Sequence, residues 1–321
     1  MNLLEIANSA ISAFASFMWG LPLLILLLGG GIFFSLYSRF VPFKYFGHGL
    51  NILLGRYHDP KDPGEITHFQ ALSSALASTV GLGNISGVAI AIQMGGPGAL
   101  FWMWVSAVVG MSTKFFSCTL SILYRGKDDE GNIQGGPMYY IENGLGPKFK
   151  PLSILFSLAG LIGCTVMFQS NQLADIIRNE IFIPYGWFSE SVMMGNFVQG
   201  VIMAILTAIV IFGGIQRIGQ VASYMVPIMV VLYLFSGLLV IFNHLSEIPS
   251  LFGLIINDAF TGDAVMGGAV GSVIIAGVRR ALFSNEAGLG TSDMAHGAAK
   301  TKEPVREGLV AMIEPFIDTI V

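Results

Sequence analysis

The stretch HFQALSSALASTVGLGNISGVAIAIQMGGPG, residues 68–98, decides the fold. It is long and apolar enough to cross a bilayer, for which about 20 residues of helix suffice. Its middle reads VGLGN at residues 80–84, and two glycines beside an asparagine disfavour a helix there. Backbone that leaves the helix at this depth is tolerated only where protein buries it or water reaches it. Small residues also let helices pack closely, but the flanking Ser78, Thr79 and Ser86 favour a polar site.

The composition is that of a membrane protein. The 321-residue chain is 54% hydrophobic and 11% charged, whereas soluble domains carry about 25% charged residues. We therefore predict an all-α integral membrane protein in contact with lipid, and we expect no nucleic-acid partner because no basic patch is present. Seven spans are predicted, near residues 14–36, 69–94, 99–123, 152–176, 196–215, 221–243 and 259–278. An eighth begins near residue 308 and reaches the last residue, so we expect a C-terminally truncated chain.

Lysine and arginine are confined almost entirely to alternate connections between these spans. The connections 37–68 and 124–151 each hold four of them, whereas residues 1–13 and 95–98 hold none. Because positively charged loops stay on the cytoplasmic side, the pattern predicts a multi-pass plasma-membrane protein with its N-terminus outside.

The seventh span is interrupted like the second. It reads AFTGDAVMGGAVGSVIIAGVRR at residues 259–280, with glycines around its midpoint, and we expect the four spans between the two to be unbroken. Interrupted spans at corresponding positions of two halves indicate a transporter substrate site, and their opposite directions predict an inverted repeat. A rival interruption, FSNEAGLGTSD at 283–293, is assigned to the cytoplasm, because Arg279 and Arg280 precede it and would otherwise lie deep in the bilayer.

A broken helix exposes free N–H groups at the start of its second half and free C=O groups at the end of its first half. The N–H end suits a carboxylate. The C=O end, with the Thr79 hydroxyl and the Asn84 amide oxygen, suits Na⁺ without a protein carboxylate. Small walls at Val80, Gly268 and Ala269 would limit the substrate to a short side chain.

The fourth span carries a run of polar residues after Phe168. We expect Gln169 to reach the substrate and Phe168 to close over it. Polar contacts between helices would also explain these residues.

The cysteines and histidines suggest neither a metal site nor an enzyme. Cys118 and Cys164 lie in predicted spans and are expected to be packing residues. The five histidines lie near predicted helix ends without metal-ligand spacing, and we expect them to be solvated or interfacial. We expect no catalytic residues.

Three motifs resemble the alanine or glycine:cation symporter family. They are STVGLGNISGVAIAIQMGGPGALFWMWV (78–105), GGPMYYI (135–141) and SNEAGLGTS (284–292). The resemblance implies a leucine-transporter-type inverted repeat with discontinuous helices and one extra N-terminal helix. It implies a single transmembrane domain over residues 1–321, with the extra helix at 14–36, the first five-helix repeat at 69–243 and an incomplete second repeat at 259–321.

The same resemblance implies roles for individual residues. Thr79, Gly81, Gly83 and Asn84 would line the carboxylate and the nearby sodium region, and the carbonyl groups of Ala77 and Val80 would serve a second sodium position. Further contacts to the substrate would come from Gln169 and from the seventh span at Gly267, Gly268, Ala269 and Gly271.

The implied activity is Na⁺-driven uptake of a small neutral amino acid, alanine or glycine, by alternating access. A proton-coupled transporter and a non-transporting amino-acid sensor stay open as alternatives. A channel is disfavoured, because channels more often show rings of one residue type.

Overall fold

The computed structural model describes residues 3–165, 167–188, 191–260 and 270–321. The regular structure of these residues is helical apart from one short hairpin on the side of the basic loops. Its two strands, β1 (Gly126–Lys127) and β2 (Ile133–Gln134), pair antiparallel, with Gly126 opposite Gln134.

The described α-helices up to residue 145 are nine in number, and a π-helical segment at Ile25–Gly29 connects the second to the third. They are α1 (Leu3–Met18), α2 (Leu21–Leu24), α3 (Gly30–Tyr37), α4 (Val41–Lys44), α5 (Phe46–Leu53), α6 (His68–Thr79), α7 (Leu82–Gly95), α8 (Gly98–Leu123) and α9 (Pro137–Leu145).

The remaining described helices follow a 3₁₀ turn at Pro147–Phe149. They are α10 (Lys150–Gly163), α11 (Met167–Ile177), α12 (Val192–Ile211), α13 (Gly214–Asn243), α14 (Ile248–Phe260), α15 (Val270–Asn285), α16 (Thr291–Gly297), α17 (Pro304–Ala311) and α18 (Ile313–Pro315). π-Helical segments at Arg178–Phe182 and Phe316–Ile320 extend α11 and α18.

Four of these helices or helix runs are long and apolar enough to cross a membrane. They are Glu5–Tyr37, Gly98–Leu123, Val192–Ile211 and Gly214–Asn243, and they correspond to the first, third, fifth and sixth predicted spans. α12 and α13 expose large apolar side chains along their length, which fits a surface that faces lipid tails. The prediction of an all-helical membrane protein is therefore confirmed.

The fourth predicted span is interrupted, contrary to expectation. α10 ends at Gly163 and α11 begins at Met167. The Thr165 hydroxyl donates to the Ile162 carbonyl at 2.8 Å. A side chain that hydrogen-bonds to nearby backbone groups competes with helical hydrogen bonds, and it therefore favours a helix end over a helix interior. The prediction of four unbroken spans was therefore wrong for this segment.

α8 lies at the centre of the fold, with α15, α16 and α17 packed along it. Its Met111 and Phe115 join the main apolar core, together with Leu72 and Leu76 of α6. Gly308 lets α17 approach closely, because a Cβ atom at this position would lie 2.6 Å from the Phe115 carbonyl oxygen. Because α8 is long and central, a position along α8 measures depth within the helix layer.

Candidate functional site

The second predicted span is broken where the sequence indicates. α6 ends at Thr79, and α7 begins at Leu82. Between them Val80 (φ −76°, ψ 104°) and Gly81 (φ −170°, ψ −144°) are extended. The helical winding is thus lost at the two residues in the middle of the span.

The break leaves carbonyl groups without helical partners. The Val80 N–H donates to the Leu76 carbonyl at 2.8 Å, so the carbonyl of Ala77 lies beyond the last helical bond of α6. The Thr79 hydroxyl is buried and donates to the Ala75 carbonyl at 3.3 Å, which leaves its oxygen lone pairs for another ligand. The end of α6 therefore offers oxygen atoms at the negative end of a helix dipole.

Asn84, in the first turn of α7, connects the break to the segment after α18. Its Oδ1 accepts from the Gly81 N–H at 3.1 Å. Its Nδ2 donates to the carbonyl oxygen and to Oδ1 of Asp318, both at 2.8 Å. Because an amide oxygen has two lone pairs, Oδ1 of Asn84 can accept the Gly81 N–H and still bind a cation.

Asp318 is a buried carboxylate, 8% exposed, that is held by neutral donors. Besides Asn84, the hydroxyl groups of Ser284 and Thr319 donate to its Oδ2 at 2.8 Å and 2.9 Å. A buried carboxylate is costly unless a positive charge balances it, so this position suits a cation or a proton. The sequence interpretation, which built the cation site without a protein carboxylate, overlooked this side chain.

A second helix break lies beyond the seventh predicted span, at the Gly-Leu-Gly of residues 288–290. The break predicted at 267–271 falls largely outside the described residues and stays a prediction. α15 ends at Asn285 and α16 begins at Thr291. Between them Glu286, Gly288 and Gly290 have positive φ angles of 52°, 95° and 83°. The backbone here requires the left-handed region, which glycine adopts without a steric penalty.

This second break lies at mid-depth in the helix layer. Ala287 packs against Gly110, halfway along α8, where an added Cβ would come within 2.9 Å of the Ala287 Cβ. This packing argues against the assignment of residues 283–293 to the cytoplasm. Arg279 does not contradict this depth, because its guanidinium donates to the Trp19 carbonyl between α1 and α2, and a long side chain can carry its charge to a helix end.

Asp318 brings the two breaks together. Asn84 stands at the start of α7 and Ser284 stands in the last turn of α15, and both donate to the same carboxylate. Thr319 extends the contact, because its hydroxyl accepts from Nδ2 of Asn285 at 3.0 Å. Two interrupted helices and one buried carboxylate thus form a single polar cluster within the apolar layer.

For several predicted site residues the described part of the chain shows no contact with this cluster. Three of them lie outside the described residues: Gly267, Gly268 and Ala269. Gly271 lies in α15, and Gly83 lies in the first turn of α7. Phe168 lies in α11. Gln169 is exposed on the same helix and has no described contact with either break. These assignments stay predictions.

The two cysteines differ in their surroundings. Both are free thiols; Cys118 is buried and Cys164 is exposed. Cys164 directly follows α10, at the interruption of the fourth span. Cys118 is more than a packing residue, because its thiol donates to Asp293 at 3.2 Å.

Among the described residues, the oxygen atoms at the two helix breaks are the best ligands for a small cation. Within the described residues, no group of three or more histidine, cysteine, aspartate or glutamate side chains is placed to hold a metal ion. A cavity of about 420 Å³ lies elsewhere, between the end of α11 and the start of α12. Its walls include Phe182, Trp187 and Phe188, which offer no oxygen ligand from their side chains.

The sequence interpretation also missed a row of buried ionisable side chains. Lys114 of α8, 1% exposed, lies 2.8 Å from the Glu314 carboxylate. His68 and His296 are buried and both contact Glu307, so the expectation of solvated or interfacial histidines was wrong for these two. The lone lysine in the apolar third span was the available signal, because charged residues inside a membrane usually have a function.

Comparisons with known proteins give the family. Residues 4–321 match the model of the sodium:alanine symporter family. The sodium/alanine symporter AgcS of Methanococcus maripaludis is 41% identical over 318 residues, which cover 98% of this chain and 68% of that protein. The putative sodium/proton-dependent alanine carrier protein YrbD of Bacillus subtilis is 39% identical over 306 residues, 94% of this chain and 60% of that protein.

A third relative, the probable sodium/glutamine symporter GlnT of Bacillus subtilis, is 34% identical over 304 residues, which cover 95% of this chain and 61% of that protein. The chain therefore spans between 60% and 68% of the length of these relatives. All three are named as carriers, and none as an enzyme. Because the family model covers nearly the whole chain, this protein belongs to the sodium:alanine symporter family, a family of membrane transporters.

Proposed function

We propose that this protein couples Na⁺ influx to the uptake of a small neutral amino acid, alanine or glycine, by alternating access. The observation that supports this most is the meeting of two helix breaks at Asp318. Free main-chain dipoles in an apolar layer are costly, and the charged carboxylate and ammonium groups of a zwitterionic amino acid, together with the driving ion, give them partners.

The ion is assigned to the carbonyl end of α6. The proposed Na⁺ ligands are the Thr79 hydroxyl and Oδ1 of Asn84, and the carbonyl groups of Ala77 and Val80 are proposed for a second Na⁺ position. Na⁺ is a hard cation that prefers oxygen ligands, and the Asp318 carboxylate nearby supplies negative charge. Na⁺ is cargo here and not a resident cofactor.

The amino acid is assigned to the space beside the start of α7. The positive end of the α7 helix dipole, near Gly81, Gly83 and Asn84, suits its carboxylate. Gln169 and Phe168 are proposed to contact it from the fourth span. A further set of contacts is proposed from the seventh span: Gly267, Gly268, Ala269 and Gly271.

The proposed architecture is a leucine-transporter-type inverted repeat in the plasma membrane with the N-terminus outside. The extra helix at 14–36 precedes the first repeat at 69–243, and 259–321 begins the second. Supporting this, each repeat would start with a broken helix containing Gly-Leu-Gly, at 81–83 and at 288–290. The two breaks meet at one polar cluster, as breaks in corresponding helices would.

Proton coupling is the second candidate. The relative YrbD is named sodium/proton-dependent, and Asp318 is a buried carboxylate with neutral donors, which could carry a proton instead of facing Na⁺. The two candidates differ in which gradient drives uptake.

Uptake of labelled alanine separates the candidates. The protein is reconstituted in liposomes. Alanine uptake is measured with an inward Na⁺ gradient, with an inward proton gradient and with neither. We expect uptake to follow the Na⁺ gradient. Uptake that follows only the proton gradient would favour the second candidate, and amino-acid binding without any uptake would favour a sensor.

A further inference from the structure

Five buried ionisable side chains form a row between the basic end of the fold and the second helix break. Each comes from a different helix: His68 from α6, Glu307 from α17, His296 from α16, Glu314 from α18 and Lys114 from α8. None is more than 3% exposed. The row is separate from the polar cluster at the helix breaks.

Glu307 holds the two imidazoles together. One of its carboxylate oxygens contacts Nδ1 of His68, and the other lies 2.5 Å from Nδ1 of His296. When each ring donates a proton from Nδ1, its Nε2 atom stays available for a further proton. Nε2 of His296 has no hydrogen-bond partner within the described residues and lies 3.7 Å from Oε2 of Glu314, whose Oε1 is also unpartnered there.

The charges on and around this row sum to a negative value when both imidazoles are neutral. Two cations, Lys114 and Arg125, face three carboxylates, those of Glu307, Glu314 and Asp293. The other titratable or charged groups that face these residues from neighbouring elements are Cys118, Tyr140, Arg280, Glu286 and Asp318. They add more negative than positive charge. Because an unbalanced buried charge is costly, a proton on an imidazole stabilises the closed arrangement.

We propose that His68, Glu307 and His296 form a proton-binding site that is occupied while α6 and α16 are held together and is emptied when they separate. This inference rests on the proposed function, because alternating access is what would separate the two half-helices. The positive-inside pattern assigns this end of the fold to the cytoplasm.

The same two half-helices are joined by main-chain contacts. Ile66 and Ala299 form a parallel bridge, the Glu65 N–H donates to the Ala298 carbonyl at 2.8 Å, and the Lys300 N–H donates to the Ile66 carbonyl at 2.7 Å. Separation of these segments lets water reach the buried imidazoles. The N–H bond of the extra proton then breaks, the proton passes to water, and the electron pair stays on the ring nitrogen. Opening thus releases a proton, so acid on the cytoplasmic side favours closure and alkali favours opening.

The first experiment measures uptake against pH on one side. Proteoliposomes with an inward Na⁺ gradient take up labelled alanine while the pH at the cytoplasmic face is varied and the other side is held constant. For one released proton we expect the wild-type rate to rise about tenfold per pH unit in the range where the site is occupied. Glu307→Gln removes the negative charge that the proton balances, so its uptake should be nearly independent of this pH.

Glu303→Gln is the matched control. Glu303 is exposed and pairs with Arg306 at 2.9 Å in the segment that precedes α17. This variant should keep the wild-type pH dependence. A pH dependence that is unchanged in Glu307→Gln, or absent in the wild type despite Na⁺-driven uptake, would overturn the proton site and leave the proposed function intact.

A second measurement needs no change in the row and no transport. In Cys164→Ser protein the remaining thiol, Cys118, is buried between α8 and α16 beside Asp293. Its rate of maleimide labelling, divided by the rate for glutathione in the same buffer, should rise with pH as α16 moves away. A flat ratio would overturn the proton site. A rising ratio in a protein that takes up no amino acid would support the proton site and refute the proposed function.

Discussion

Substitution of Asn84 by alanine tests the polar cluster most directly. The wild-type amide accepts from the Gly81 N–H at 3.1 Å and donates twice to Asp318 at 2.8 Å. Each neutral hydrogen bond contributes about 1 kcal/mol and the one to the carboxylate about 2 kcal/mol. The variant therefore loses roughly 4 kcal/mol of interaction within the cluster, of which about 3 kcal/mol joins α7 to the segment after α18. The total corresponds to close to a thousandfold in the equilibrium between assembled and disrupted cluster.

Water that enters the cluster would recover part of this loss, so we expect Na⁺-driven alanine uptake to fall at least a hundredfold. The assay is initial uptake of labelled alanine into proteoliposomes with equal amounts of inserted protein. Insertion and folding are checked by gel filtration of the detergent-solubilised protein, which should be unchanged. Asn243→Ala is the matched control, because Asn243 is exposed at the end of α13 and donates only to the Leu239 carbonyl among its described contacts.

Uptake by the Asn84 variant within a few-fold of wild type would refute the reasoning, because it would show that neither the ion nor the amino acid depends on the amide. Equal losses in Asn84→Ala and Asn243→Ala would point to a general effect on the protein instead. Loss of the folded peak in gel filtration would make Asn84 a structural residue.

Three further outcomes are expected. Gln169→Ala should raise the KM for alanine with little change in protein yield, whereas Gln220→Ala, on an exposed face of α13, should change neither; a lower yield without a change in KM would make Gln169 a structural contact. Gly290→Ala should lower the thermal stability, because the left-handed backbone alone costs a non-glycine residue about 1–2 kcal/mol and its Cβ would lie 2.5 Å from Pro137 Cγ; Gly253→Ala on α14, where nothing lies within 4 Å, is the control and should be neutral or stabilising. The hydrogen bond and charge of Lys302 hold the pKa of Asp62 below its ordinary value of 3.8, so this pair stabilises the fold above that pH, and the contribution is lost as the pH falls through the lowered pKa. The Tm of Lys302→Met should therefore be lower than that of the wild type at pH 7 and equal to it in stronger acid. The control Lys148→Met should show no difference in Tm at either pH.

The first helix break was predictable because its signal is local. Two glycines and an asparagine within five residues of an apolar run disfavour the helix by their own conformational preferences. The signal for the start of α6 is equally local. The Thr67 hydroxyl accepts from the Gln70 N–H, and the Gln70 side chain accepts from the Thr67 N–H. A Thr-x-x-Gln sequence is typical of this capping box. Such features need no knowledge of the rest of the chain.

The break at 288–290 was not chosen from the sequence because two local signals competed. The glycines at 267–271 and the Gly-Leu-Gly at 288–290 were both candidate interruptions, and the two arginines between them were interpreted as the membrane boundary. What decides the depth is packing of Ala287 against Gly110, and a contact between distant segments cannot be deduced from periodicity.

Asp318 and the buried row were missed for the same reason. Asn84 and Asp318 are 234 residues apart, and His68 and Glu307 are 239 apart. In the sequence, Glu307 stands just before the eighth predicted span, where solvent would explain it, and Asp318 lies inside that span with no partner nearby in the chain. Only the fold places these groups inside the layer and opposite one another.

In the proposed mechanism, the shortness of α16 gives the buried polar contacts a role beyond stability. α16 has seven residues, too few to be stable as an isolated helix, since about 12–15 residues are marginal even in favourable sequences. Its position therefore depends on side-chain contacts. Asp293 accepts from Ser117 and Tyr140 at 2.8 Å and 3.1 Å, and His296 contacts Glu307. Any movement that opens the second break toward the basic end must disrupt these contacts, so the state of the buried charges and the position of α16 cannot change independently.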